Sequence, residues 1–235
     1  MHVAAILLAA GQGLRLKSKV SKPLITINSK PLIIYSLSAL NKNRWIKEII
    51  IVGNNQNIAG IRRLVDKYDL RKVIRIIRGG RRRQDSVHNG ISQVGSSADL
   101  VLIHDAARPF ISLEIIYRVI RKARGMAGAI TGVPVNDTIK NVFLSKEAKL
   151  IVKHSLNRKQ LWMIQTPQVF KVSLIREAFR RFGKDDVTDE SMLLERLGKK
   201  VGVVLGSYDN IKVTTPGDIL IAKTIAKNFK ICNTR

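Results

Sequence analysis

The sequence predicts an α/β fold: a mostly parallel, twisted sheet with helices on both faces. Apolar runs of strand length recur at Val3–Leu8, Glu48–Val52, Val73–Ile77 and Leu100–His104. Stretches with helical spacing separate them, which is the rhythm of right-handed β-α-β units. The first run is apolar without interruption, as a strand buried on both faces must be.

The elements follow in order. Val3–Leu8 breaks at Ala9-Ala10-Gly11-Gln12-Gly13, where two glycines let the backbone turn and approach a ligand. Pro31–Leu40 brings Leu32, Tyr35, Leu37 and Leu40 on or near one helix face, with Pro31 suited to a first turn. Ile58–Tyr68, Gln84–Val94 and Leu113–Ala123 repeat that spacing. Val135–Phe143 and Lys149–His154 read instead as two short strands joined by a turn at Leu144–Ala148. A polar hairpin of this size buries little by itself, so it is expected to project and pack on something else. Helices at Val172–Phe182, Glu190–Leu197 and Pro216–Lys227 and a strand at Val201–Leu205 complete the chain. With no internal repeat or linker, residues 1–235 read as a single domain with 134–154 as its projecting β-arm.

Lys and Arg number 42 against 17 Asp and Glu, a formal charge of +25, and ten of the cations lie between Arg62 and Arg83. Such a surface could bind nucleic acid. Aromatic residues are only 5%, too few for a single-strand stacking platform, and no nucleic-acid-binding signature appears, so no specific nucleic-acid partner is expected. No apolar run has the roughly 18 residues of a membrane span, and the first leads straight into the glycine loop, unlike a signal peptide. Cys232 is the single cysteine and cannot form an intrachain disulfide. These features favour a cytoplasmic protein without a membrane partner. Four scattered histidines and one cysteine offer no zinc site.

Arg15, Lys17, Lys19 and Lys22 follow the glycine loop. Loop amides and nearby fixed cations together make a cradle for a polyphosphate. A Walker loop is absent, and Leu16 stands where a dinucleotide fingerprint needs its third glycine. The other reading is an ordinary turn with solvated lysines. In open α/β sheets the ligand crevice lies beyond the strand C-termini. The Gly11 loop and His104-Asp105 both sit at such ends, so they can face one crevice. Asp105 could equally cap a helix ahead of Pro109.

Leu8-Ala9-Ala10-Gly11-Gln12-Gly13-Leu14-Arg15, with Lys22 seven residues on, resembles the signature of sugar-phosphate nucleotidyltransferases. Gly79–Val87, His104–Pro109, Asp137–Lys140, Gln165–Gln168, Thr188–Glu190 and Asn210–Thr214 narrow the likeness. Together they resemble the 2-C-methyl-D-erythritol 4-phosphate cytidylyltransferase family over nearly the whole chain. That resemblance implies a Rossmann-like sheet and a homodimer whose β-arms reach into the neighbouring subunit. It implies transfer of a cytidylyl group from CTP to a sugar-alcohol phosphate, with release of pyrophosphate.

By the same resemblance, Arg15 and Lys22 are catalytic and stabilise the transition state. Arg15 offers a planar fork for the triphosphate and Lys22 a movable point charge. CTP would lie on Ala9, Ala10, Gly11 and Gly13, with Gly80, Arg81 and Ser86 toward the base and Asp105 and Ala106 beside it. The acceptor would meet Asp105, Arg108, Thr138, Arg158, Thr166, Thr188 and Lys212, whose cations and hydroxyls suit a phosphomonoester on an alditol. Thr138 and Arg158 would come from the partner chain. Mg2+ would be held mainly by the CTP phosphates, with no metal ligand in the protein. His104 reads as a packing residue, since an anionic attacking phosphate needs no base.

Two departures from the family pattern stand out. Ser21-Lys22-Pro23 replaces its usual Pro-Lys, and Arg81 stands where an acidic residue is frequent. Other readings stay open locally. Gly79-Gly80 could be a turn before a surface patch, and Thr188-Asp189-Glu190 a helix cap. A ribitol 5-phosphate cytidylyltransferase would share the CTP half; the set Thr138, Arg158 and Lys212 favours methylerythritol phosphate. Intact Arg15, Lys22, Asp105 and Lys212 argue against a nucleic-acid-binding protein on this scaffold.

Overall fold

In the computed structural model, which describes residues 1–16, 20–145 and 147–229, β1 (Val3–Leu8) lies inside the sheet, as its sequence requires. Lys17, Lys19, Lys146 and Cys232 lie outside the described residues. Val3, Ala5 and Leu7 face one core layer, and Ala4, Ile6 and Leu8 face the other. Both faces of the strand are covered, which explains its lack of polar alternation.

A small hairpin, β2 (Thr26–Ile27) and β3 (Lys30–Pro31), leads into α1 (Leu32–Lys42). The alternation then follows: β4 (Ile46–Gly53), α2 (Ile58–Lys67), β5 (Val73–Arg78), α3 (Arg83–Ser92), β6 (Leu100–Asp105) and α4 (Leu113–Arg124). Next come β7 (Gly128–Pro134), β8 (Lys140–Leu144), β9 (Leu150–Ser155) and β10 (Trp162–Lys171). The chain continues through α5 (Val172–Phe182), α6 (Ser191–Arg196), β11 (Val201–Leu205) and α7 (Pro216–Asn228). Helices α1, α2 and α4 cover one face of the sheet; α3, α5 and α6 cover the other. Among the described residues no helix is long and apolar enough to cross a membrane.

The seven-stranded sheet runs β11-β7-β10-β6-β1-β4-β5, and β10 alone is antiparallel to its neighbours. The sequence reading named neither β7 nor β10. β7 carries Gly128, Gly132 and Pro134, and β10 carries Pro167 at a register break between Gln165 and Gln168. Such residues ordinarily argue against a strand interior. β10 is antiparallel because the chain leaves β7 for the hairpin and returns at the same sheet edge, with no crossover helix.

The hairpin differs from expectation in two ways. Its first strand starts at Lys140 rather than Val135, and its exposed surface is apolar rather than polar. Val142, Phe143, Leu144, Leu150, Ile151 and Val152 all face solvent in this chain. Lys72, part of the basic stretch, also differs from a free surface charge: its Nζ donates to the Asn43 carbonyl at 2.7 Å.

Candidate active site

The loops after β1, β4, β5, β6 and β11 meet at the C-terminal edge of the parallel strands. Asn57, fully buried at the start of α2, fastens two of them. Its Nδ2 donates to the Ala9 carbonyl at 2.9 Å and to Ser21 Oγ at 3.1 Å, while its Oδ1 accepts from the Asn54 amide at 2.9 Å. Asn54 Nδ2 donates to the Ala10 carbonyl at 3.0 Å. Gly13 has φ +67°, and a Cβ there would lie 3.1 Å from the Lys22 Cβ. The left-handed backbone favours glycine there, and a side chain would also crowd Lys22. Arg15 sits in a 3-10 turn, Leu14–Leu16, and Lys22 opens the next, Lys22–Leu24. Burial pushes the Lys22 ammonium below its ordinary pKa, as do Lys212 and Arg15; Asp105 and Asp218 oppose this.

Gly79-Gly80 is a built loop. A Cβ on Gly79 would come within 2.6 Å of both the Ala10 Cβ and Ser86 Oγ, so the loops after β1 and β5 touch. Ser86 Oγ accepts from the Gly80 amide at 3.1 Å and donates to the Arg82 carbonyl at 3.2 Å. Asp85 caps α3 by accepting the Arg82 amide at 2.9 Å and pairs with its guanidinium.

Asp105 ends β6 and caps no helix; Ser112 Oγ caps α4. Arg83 Nε approaches Asp105 Oδ1 at 3.2 Å, and Lys212 Nζ approaches Oδ2 at 2.7 Å. Burial alone would raise the Asp105 pKa, but Arg83 and Lys212 outweigh it and hold the carboxyl well below the usual range. Arg83 Nη1 also donates to both carboxylate oxygens of Glu190, at 2.8 and 2.9 Å. Burial pushes Glu190 up, and Arg83 opposes that shift.

Behind Asp105 a hydrogen-bond chain fixes the backbone. The Asp105 amide donates to Thr166 Oγ1 at 3.0 Å. His104 is fully buried, and desolvation lowers its pKa to about 4, so it is neutral near pH 7. Its Nε2 lies 2.9 Å from the Arg108 carbonyl, which can only accept, so Nε2 carries the proton. The Thr166 hydroxyl therefore donates to Nδ1, 3.0 Å away. Arg108 donates to the Asn210 carbonyl at 2.8 Å, tying down the loop that carries Lys212.

One cleft of about 1500 Å³ brings together Ala9, Ala10, Gly11, Gly13, Arg15, Lys22, Gly80, Arg81, Ser86, Asp105, Ala106 and Lys212. Five sequence candidates lie elsewhere. Thr166 and Arg108 support the cleft floor from behind. Thr138 and Arg158 are exposed at the hairpin's base, where Arg158 Nη1 donates to the Asn136 carbonyl at 2.5 Å. The exposed Thr188 directs its amide and hydroxyl toward Met192 Sδ, and Asp189 accepts the Met192 amide in the first turn of α6, whose N-cap position, Glu190, makes no side-chain cap bond. The sequence reading missed Asn54, Asn57, Arg83, Glu190 and Asn210 as site-forming residues. The Asn54–Asn57 cluster after a parallel strand was a usable signal; Arg83, Glu190 and Asn210 lie inside the motifs that carry the family resemblance, but nothing local marked Arg83 and Glu190 as partners. Among the described residues no three His, Cys, Asp or Glu side chains converge as a metal site.

A crevice at the ends of parallel strands, with cations along a glycine loop and an ionised carboxylate on its floor, has the layout that nucleotidyl transfer requires. The family model for 2-C-methyl-D-erythritol 4-phosphate cytidylyltransferase matches residues 3–228. The chain belongs to that family. It is 40% identical over 228 residues to the enzyme of that name from Clostridium botulinum, covering 96% of this chain and 98% of the relative. To the Bacillus cereus enzyme it is 42% identical over 221 residues, covering 93% and 95%. The crystal structure of 4-diphosphocytidyl-2C-methyl-D-erythritol synthase from Anaerococcus prevotii superposes with a TM-score of 0.83 at 31% identity, covering 96% of this chain and 98% of that one.

Proposed function

We propose that the cleft between the Gly11 loop and Asp105 is where this enzyme transfers a cytidylyl group. The chain's reaction takes CTP and 2-C-methyl-D-erythritol 4-phosphate to 4-diphosphocytidyl-2-C-methyl-D-erythritol and pyrophosphate, in non-mevalonate isoprenoid precursor synthesis. The observation that carries the site assignment is the placement of Arg15, Lys22, Asp105 and Lys212 on one cleft. An acceptor phosphate oxygen attacks the α-phosphorus. The bond to the bridging oxygen breaks, and pyrophosphate leaves with that electron pair. Such a step needs in-line positioning and compensation of charge on crowded phosphoryl oxygens. Arg15 and Lys22 provide that compensation. Lys22 is held beside other cations in a half-buried position, so a triphosphate relieves the repulsion.

Asp105 stays ionised and accepts acceptor hydroxyls or water of a hydrated cation. A single carboxylate fits Mg2+ brought in on the triphosphate, which would supply charge neutralisation. Lys212 holds the acceptor phosphate.

The hairpin completes the site in a two-fold dimer. Its exposed apolar strands need a covering surface, and Thr138 and Arg158 stand outside their own chain's cleft. In the dimer they enter the partner's cleft. A cytoplasmic location is part of the same proposal. The test is pyrophosphate release with CTP, offering methylerythritol phosphate and ribitol 5-phosphate in turn. Turnover with the first alone supports the reading; turnover with the second alone overturns its acceptor half.

A further inference from the structure

We propose that Glu190 is a positioning residue that sets how the acceptor is bound, acting through Arg83. The inference rests on the acceptor reading above. Glu190 does not line the cleft, and its side chain is 1% exposed. It therefore meets no substrate in this chain. Its two oxygens instead hold Arg83 Nη1 at 2.8 and 2.9 Å. That grip turns the guanidinium so that only Nε faces Asp105, reaching Oδ1 alone. Oδ2 is left to Lys212, whose ammonium sits on a flexible, partly exposed side chain.

The consequence is an exchangeable oxygen. A guanidinium freed from Glu190 can present two parallel donors, the geometry that binds both oxygens of one carboxylate. Asp105 would then be closed by Arg83, and neither Lys212 nor an acceptor hydroxyl could use Oδ2. With Glu190 in place, Lys212 can move onto the incoming phosphate and Oδ2 can take a hydroxyl of the alditol. Arg83 meanwhile keeps Asp105 charged and aimed. The buried acid thus prevents Arg83 from taking the whole of Asp105.

The test compares Glu190→Gln with wild type in steady state and by crystallography. The expected result is an acceptor KM raised about tenfold or more, with the CTP KM within about threefold. A role in folding alone would move both constants together or neither, and either result overturns the proposal. Arg83→Lys is the second variant. It keeps the charge but cannot close both oxygens of Asp105, so alone it should leave the acceptor KM within about threefold of wild type, and added to Glu190→Gln it should bring a raised acceptor KM back down; a raised KM in either overturns the proposal. The crystal structure of Glu190→Gln should show Arg83 in two-point contact with Asp105. An unmoved Arg83 overturns the proposal whatever acceptor the enzyme takes, while an inactive wild type would overturn only the functional reading.

Discussion

Lys212 Nζ lies 2.7 Å from Asp105 Oδ2, on a carboxylate that Arg83 already holds from its other oxygen. Two cations outweigh the cost of burying one acid, and the result is a depressed pKa. The sign of the stability effect follows. A carboxyl with a lowered folded pKa contributes fully above its unfolded value near ~3.9 and loses that contribution as pH falls toward the folded value. Urea unfolding of Asp105→Asn should therefore show a deficit against wild type at pH 5 and above, shrinking below about pH 4. Parallel stability curves for the two proteins would refute the pairing.

Lys22→Ala should lower kcat on the order of 10²-fold or more, with a smaller change in the KM for CTP. Because burial and, after it, neighbouring cations lower its pKa, the free enzyme should lose kcat/KM on the alkaline side below the ordinary lysine value of about 10.4. Bound triphosphate stabilises the charged form, so the alkaline limb of kcat should lie at higher pH than that of kcat/KM. The reverse order would remove Lys22 from this role.

Asn57→Ala removes the contacts to Ala9, Ser21 and Asn54 at once. Leaving a buried group unpaired costs about 1–3 kcal/mol. Thermal unfolding should register that loss, and the CTP KM should rise as the two loops separate. A variant as stable as wild type would show the tether to be dispensable.

Arg62, Arg63 and Lys67 project from α2 away from the cleft. Changing all three to Gln should leave turnover within about threefold while weakening heparin binding and reducing its salt dependence. Lys72 is excluded because it holds the Asn43 carbonyl. Loss of turnover in a folded triple variant would give the patch a part in catalysis.

Arg15→Ala and Arg158→Ala, each nearly inactive, should complement when unfolded together and refolded as a mixture. Shared sites leave one intact site in every mixed dimer, and random pairing makes about half the dimers mixed, so roughly a quarter of wild-type activity should return. With subunit exchange verified by mass, no recovery would place Arg158 in its own chain's site.

Much of this protein is written in short stretches of its sequence. Val3–Leu8 is apolar on both faces, and the glycine loop follows it directly, so strand, turn and cationic cradle are legible from adjacent residues. Asp105 was legible for the same reason, as the first acid after an apolar run. Tertiary structure alone decided the partners that come from far along the chain. Arg83 and Glu190 are 107 residues apart, and Asp105 and Lys212 meet only because the loops after β6 and β11 share one sheet edge. β7 and β10 were hidden because glycine and proline suit their close contacts and register break, against the usual preferences of strand interiors. Local propensity is a property of neighbouring residues; ion pairing and hydrogen-bond partnership depend on separations that the sheet order sets. The sequence therefore determined the fold class and one wall of the cleft, while the fold decided which side chains hold that wall in place.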